Sequence, residues 1–121
     1  MRKNIIKEKS LDFALEIVDL CKRLKENKEF ILADQAMRSG TAIGALVREV
    51  EYAESGADFI HKLSIALKEA YETDYWLELI HRGEHISVKE KESYQLQNTE
   101  LIKLLVSIIK KRKQNINYKK K

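Results

Sequence analysis

The chain has 121 residues, 35% of them charged and 44% apolar, with 23 Lys or Arg against 19 Asp or Glu and a net charge of +4. That length suits a single domain, residues 1–121, whose core closes without disulfides or metals, and one cysteine, Cys21, excludes an internal bridge. No apolar run approaches the roughly 18 residues of a membrane span, and the charged start MRKNIIKEKS lacks the apolar centre of a secretion signal, so the expectation is a cytoplasmic protein with no membrane partner and a reduced thiol.

There is no proline, and apolar residues recur every three and four positions throughout, which predicts helices and no strand. A first helix is expected to open after Ser10, a good N-cap, to run through LDFALEIVDLCKRLK and to end near Asn27, which tolerates the left-handed conformation of a helix terminus. A second runs from about Phe30 to Tyr52 or Glu54, where Ser55 and Gly56 break it. Asp58 restarts the chain as a third helix that stops at Gly83. Ser87 with Glu90 forms a capping-box pattern and opens a fourth, running to about Lys113 before a lysine-rich end that frays. Connections this short force neighbouring helices antiparallel, so the fold is read as all-α, an up-down-up-down four-helix bundle.

Two helices carry more apolar residues than one bundle seam hides. Helix four has Leu101, Ile102, Leu104, Leu105, Val106, Ile108 and Ile109, and helix one has Phe13, Leu15, Ile17, Val18, Leu20 and Leu24. The uncovered remainder predicts a homo-oligomer with helices one and four at its interface. Cys21 lies on the apolar stripe of helix one and reads as a core thiol; a reactive nucleophile would need a basic or histidine neighbour.

Helix two holds Ala36, Gly40 and Gly44 four apart, a face with almost no side chains that lets a neighbouring helix approach closely. Beside it, Arg38 and Ser39 are positioned to meet Glu69 and Thr73 of helix three in a polar layer. An Arg38–Glu69 pair is expected there, with two open readings, a buried pair or two side chains facing water.

Charge is unevenly distributed. From Leu101 onward there are eight basic residues (Lys103, Lys110, Lys111, Arg112, Lys113, Lys119, Lys120 and Lys121) and no acid, leaving 15 basic against 19 acidic groups in residues 1–100. The basic tail, about 110–121, is a generic anion binder or a solubilising end. The nucleic-acid candidates are Arg48, Lys62, Lys110, Lys111, Arg112 and Lys113. Trp76, Tyr71 and Tyr75 offer stacking surfaces for unpaired bases, but at this spacing they read first as packed core or interface.

Asp34 and Gln35, then Arg38 and Ser39, Ile43, Val47 and Glu49, followed by Asp58, Phe59, Ile60 and Ile65 to Leu67, resemble the four-helix bundle family of 23S ribosomal RNA intervening-sequence proteins. The resemblance covers most of the chain and is most specific in helices two and three. Where relatives often carry a serine and an asparagine in helix two, this chain has Ala42 and Leu46, which weakens any role of those polar side chains. The resemblance implies a homopentameric barrel of bundles without enzymatic activity. It also implies relatives encoded within ribosomal RNA gene insertions, or RNA-binding, reverse-transcriptase-associated accessory proteins of diversity-generating retroelements.

Other chemistry finds little support. The pairs Glu78–His81 and Asp58–His61 both lie on helix three, about 30 Å apart by helical rise, whereas a di-metal bundle site draws on several helices. No serine sits in a nucleophile elbow and no glycine cluster forms a phosphate loop. The expectation is therefore a protein without enzymatic activity, metal or cofactor, whose partners are copies of itself and RNA or a nucleic-acid-processing protein. The alternative is a protein-interaction scaffold that binds no nucleic acid.

Overall fold

The computed structural model describes residues 2–120, with side chains described over residues 5–116. Four helices follow one another, α1 (Arg2–Glu26), α2 (Phe30–Glu49), α3 (Gly56–Arg82) and α4 (Val88–Lys120), and a 3-10 turn, Val50–Tyr52, extends the end of α2. No strand occurs among the described residues. None of the helices is long and apolar enough to cross a membrane.

Each helix packs on its sequence neighbour, and α4 returns to α1. Cross-helix pairs fix the antiparallel directions: Lys7 with Glu51 and Cys21 with Ala33 between α1 and α2, Glu78 with Lys91 and Ala70 with Asn98 between α3 and α4, Arg23 with Glu90 and Lys9 with Glu100 between α1 and α4. The result is the expected up-down-up-down bundle.

Helix α1 starts well before Ser10. Ile6, Ser10, Phe13 and Ile17 continue one face at spacings of four, three and four, and Ile6 is buried, so the apolar register outweighs the capping preference of Ser10. Ser10 is itself buried mid-helix, its hydroxyl donating to Lys7 O at 3.2 Å. The Ser55 cap holds, its Oγ accepting from Asp58 N at 3.0 Å. So does the Ser87–Glu90 box: Ser87 N donates to Glu90 Oε1 at 3.2 Å and Glu90 N to Ser87 Oγ at 3.1 Å.

Helices α1 and α3 end where expected, at Glu26 and Arg82, but the left-handed residue lies one position further on than expected. Lys28 (φ 63°) and Glu84 (φ 67°) hold the left-handed position, not Asn27 or Gly83. Each end closes as a Schellman motif: Glu29 N to Leu24 O (2.8 Å) with Lys28 N to Lys25 O (2.9 Å), and His85 N to Ile80 O (3.1 Å) with Glu84 N to His81 O (2.9 Å). The paired backbone bonds set the register of the cap, and residue preference follows only weakly.

Phe13, Ile17, Leu20 and Leu24 of α1, Ile43 of α2, Leu63, Leu77 and Ile80 of α3, and Leu101 and Leu105 of α4 are fully buried, each worth about 1.5–3 kcal/mol. Helix α2 contributes mostly Ala33, Ala36 and Gly40. The glycine face meets α1, not α3: a Cβ on Gly40 would lie 2.9 Å from Ile17 Cγ2, and one on Gly44 would lie 3.4 Å from Ser10 O. The surplus of apolar residues on α4 is largely absorbed by the bundle, because α4 is flanked by α1 and α3. Ile102, Leu104 and Ile108 are half-buried against the core, leaving Val106 exposed in that run. On α1, Leu11 and Leu15 lie one turn apart and are exposed.

Candidate nucleic-acid interface

The polar layer forms as two parts. At its centre Ser39 and Thr73 are fully buried and share a hydrogen bond of 2.9 Å, while Thr73 Oγ1 donates to Glu69 O at 2.8 Å. At its rim Arg38 bridges α2 and α3, its Nη1 lying 3.1 Å from Glu69 Oε2 and its Nη2 contacting Glu72. Trp76 Nε1 also donates to Glu72 Oε2, at 3.1 Å. The Arg38–Glu69 pair thus exists but is not buried: the arginine side chain is 52% exposed and the glutamate 14%. Solvent keeps such a pair to about 1 kcal/mol or less, so its part is to align the helices. Another buried polar side chain, Asn98, sits on α4 and donates Nδ2 to Ala70 O at 2.8 Å.

Cys21 is fully buried, its thiol donating to Ala33 O at 3.2 Å. Burial pushes its pKa up to about 11, the opposite of what a nucleophilic thiolate needs. Glu90 is held below the usual carboxylate range, first by the Ser87 N–H and then by Arg23. Glu78 is likewise lowered, chiefly by Lys91. Of the histidines, His81 Nδ1 lies 3.2 Å from Ile86 O, His85 Nε2 lies 3.8 Å from Glu29 Oε1, and His61 is exposed on α3.

The antiparallel fold brings the sequence-distant basic candidates to one end of the bundle, where α2 and α4 finish and α3 begins. They are not equivalent there. Lys110, Lys111 and Lys113 are exposed, and none of the three forms an ion pair among the described residues. Arg48 is exposed on the last turn of α2, beside a shallow groove lined by Leu11, Ala14, Thr41 and Ala45. Arg112 instead turns inward, its guanidinium 4.4 Å from the centroid of the Phe59 ring. Lys62 lies 3.7 Å from Asp58 in a recess shared with Glu49 and Glu54, so carboxylates offset its charge locally. The tail does not fray at Lys113: α4 continues to Lys120, with Ile116 seated against Gly56. The side chains of Lys119, Lys120 and Lys121 lie outside the described residues.

Of the two readings of the aromatics, packed core or interface, the core reading does not hold for the tyrosines. Tyr71 is 56% exposed and Tyr75 59% exposed on the outer side of α3, so neither is core; Trp76 is half-buried. The rings of Tyr75 and Trp76 meet edge to face, centroids 5.0 Å apart. Periodicity alone did not reveal this, because only the positions of α2 and α4 decide which flank of α3 is left open.

Comparison with known proteins accords with the four-helix fold. No curated protein matches the chain. The crystal structure of a protein with unknown function from the S23 ribosomal protein family of Bacteroides thetaiotaomicron VPI-5482 is similar at 57% identity and a TM-score of 0.88, over 91% of this chain and 99% of that one. Residues 2–107 match the 23S rRNA-intervening sequence proteins, the segment that holds α1, α2, α3 and the first 20 of the 33 residues of α4, and the chain belongs to that family.

Proposed function

We propose that the chain is a non-enzymatic RNA-binding accessory protein that acts in the cytoplasm as a homo-oligomer, a pentamer of four-helix bundles, and holds the RNA backbone without sequence readout. The observation that carries this reading is the set of exposed basic side chains at one end of the bundle, Lys110, Lys111 and Lys113, which form no ion pair among the described residues, with Arg48 on the same end. Repetition of that cluster around an oligomer turns weak phosphate contacts into useful avidity. Exposure of Leu11 and Leu15 one turn apart on α1 supports self-association.

The test is binding of a structured RNA across a salt series, with the oligomer mass measured by light scattering in the same buffers. Wild type is expected to bind with a steep salt dependence. Lys110, Lys111 and Lys113 changed together to Gln should flatten the log–log slope by about 2. Substitution is the better probe than truncation at residue 110, which would also remove Arg112 from Phe59 and Ile116 from Gly56. A pentamer indifferent to RNA would overturn the reading and favour a protein-docking scaffold.

A further inference from the structure

Every exposed position of α3 from Ala57 to Arg82 lacks a carboxylate. The acids of that helix are all recessed: Asp58 pairs with Lys62, Glu69 and Glu72 with Arg38, Glu78 with Lys91, and Asp74 is half-buried. The outward stripe contains Ser64, Lys68, Tyr71 and Tyr75, at spacings of four, three and four. Helix α4 lies antiparallel beside it, registered by Asn98 against Ala70 and Arg112 against Phe59. Its exposed Thr99, Lys103, Val106 and Lys110 follow the same spacing without an acid, and the stripe continues past Leu96 to one exposed carboxylate, Glu92, at the Tyr75 end. Two helices thus share one outer face about 20 Å long by helical rise, bearing two exposed phenol rings one turn apart and three lysines. None of these lysines forms an ion pair among the described residues.

We propose that this α3/α4 face binds an unpaired stretch of RNA, with Tyr71 and Tyr75 stacking on bases and Lys68, Lys103 and Lys110 holding the phosphates. The inference rests on the RNA-binding reading above and names its ligand class and surface. Tyrosine is also common where proteins meet, but the cores of such interfaces are depleted in lysine, whereas here lysines alternate with the rings. Single strands expose the base faces that a ring stacks on, while a duplex hides them. The edge-to-face contact with Trp76, itself tied to Glu72, holds the Tyr75 ring in place.

The experiment measures fluorescence anisotropy of a 20-nucleotide single-stranded RNA, its DNA counterpart and a blunt RNA duplex of equal length against wild type, Tyr71→Leu/Tyr75→Leu and Tyr71→Phe/Tyr75→Phe, with the mass of each protein checked by light scattering. The leucine variant is expected to bind the single strand about tenfold more weakly for each ring removed, and the phenylalanine variant to match wild type. Lys68, Lys103 and Lys110 changed to Gln should flatten the salt slope by about 2. Equal affinity for the DNA strand supports stacking without readout of the 2′-hydroxyl. Unchanged binding by the leucine variant, preference for the duplex, or a change of oligomer mass in the leucine variant overturns the inference while leaving RNA binding itself intact. Absence of RNA binding by wild type overturns both.

Discussion

Gly40 and Gly44 lie one turn apart on the same face of α2, and alanine at the two positions should have opposite effects. Both changes gain about 1 kcal/mol of helix propensity, so their difference isolates what the new methyl meets. At Gly40 the Cβ would stand 2.9 Å from Ile17 Cγ2 and 3.0 Å from Ile17 Cγ1. Ile17 is fully buried and has nowhere to move, so overpacking should cost about 1–3 kcal/mol. At Gly44 the nearest atom is Ser10 O at 3.4 Å, an ordinary contact. Gly44→Ala should therefore stabilise by up to about 1 kcal/mol, and Gly40→Ala should be less stable than Gly44→Ala by about 1–3 kcal/mol. In thermal unfolding at one fixed protein concentration that is a gap of roughly 3–12 °C. Ile17→Ala removes the two closest carbons and leaves only the Ile17 Cβ, at 3.3 Å, so in that background Gly40→Ala should lose most of its penalty, a coupling that a double-mutant cycle reads directly. A Gly40→Ala protein that melts at or above Gly44→Ala would refute the argument that close approach of α1 selects glycine at position 40.

The buried hydroxyl pair gives a second expectation. Thr73→Val strips Ser39 of its cross-helix partner in a site closed to water and should cost about 1–3 kcal/mol in urea unfolding, much of it recovered by adding Ser39→Ala; equal losses in the single and double variants would refute the coupling. Cys21 gives a pH dependence. Its folded pKa of about 11 lies above its ordinary value of 9.0, so its stabilising contribution is complete below pH 9 and is lost as pH rises from 9 toward 11. Stability measured from pH 8 to 11 should fall more for wild type than for Cys21→Ala, and a native thiol that reacts promptly with a disulfide reagent at pH 8 would contradict its burial.

Local patterns in the chain were enough for the number of helices, their approximate spans and their antiparallel order, because apolar spacing and the Ser55 and Ser87 caps act within a few residues. The Ser39–Thr73 layer and the Arg38–Glu69 pair were also legible, since helical spacing put each pair on one face of its helix. The beginning of α1 was not, because Ser10 is as good a cap in sequence as Ile6 is an extension of the stripe, and only burial of Ile6 settles the competition. Nor did sequence distinguish Lys110 from Arg112, or Lys62 from Arg48. Charge is a property of the residue, whereas availability depends on Phe59 beneath Arg112 and on Glu49, Glu54 and Asp58 around Lys62. Exposure of Tyr71 and Tyr75 belongs to the same class. Helix periodicity places them on one side of α3, but which sides of α3 are covered is decided by the register in which α2 and α4 dock against it.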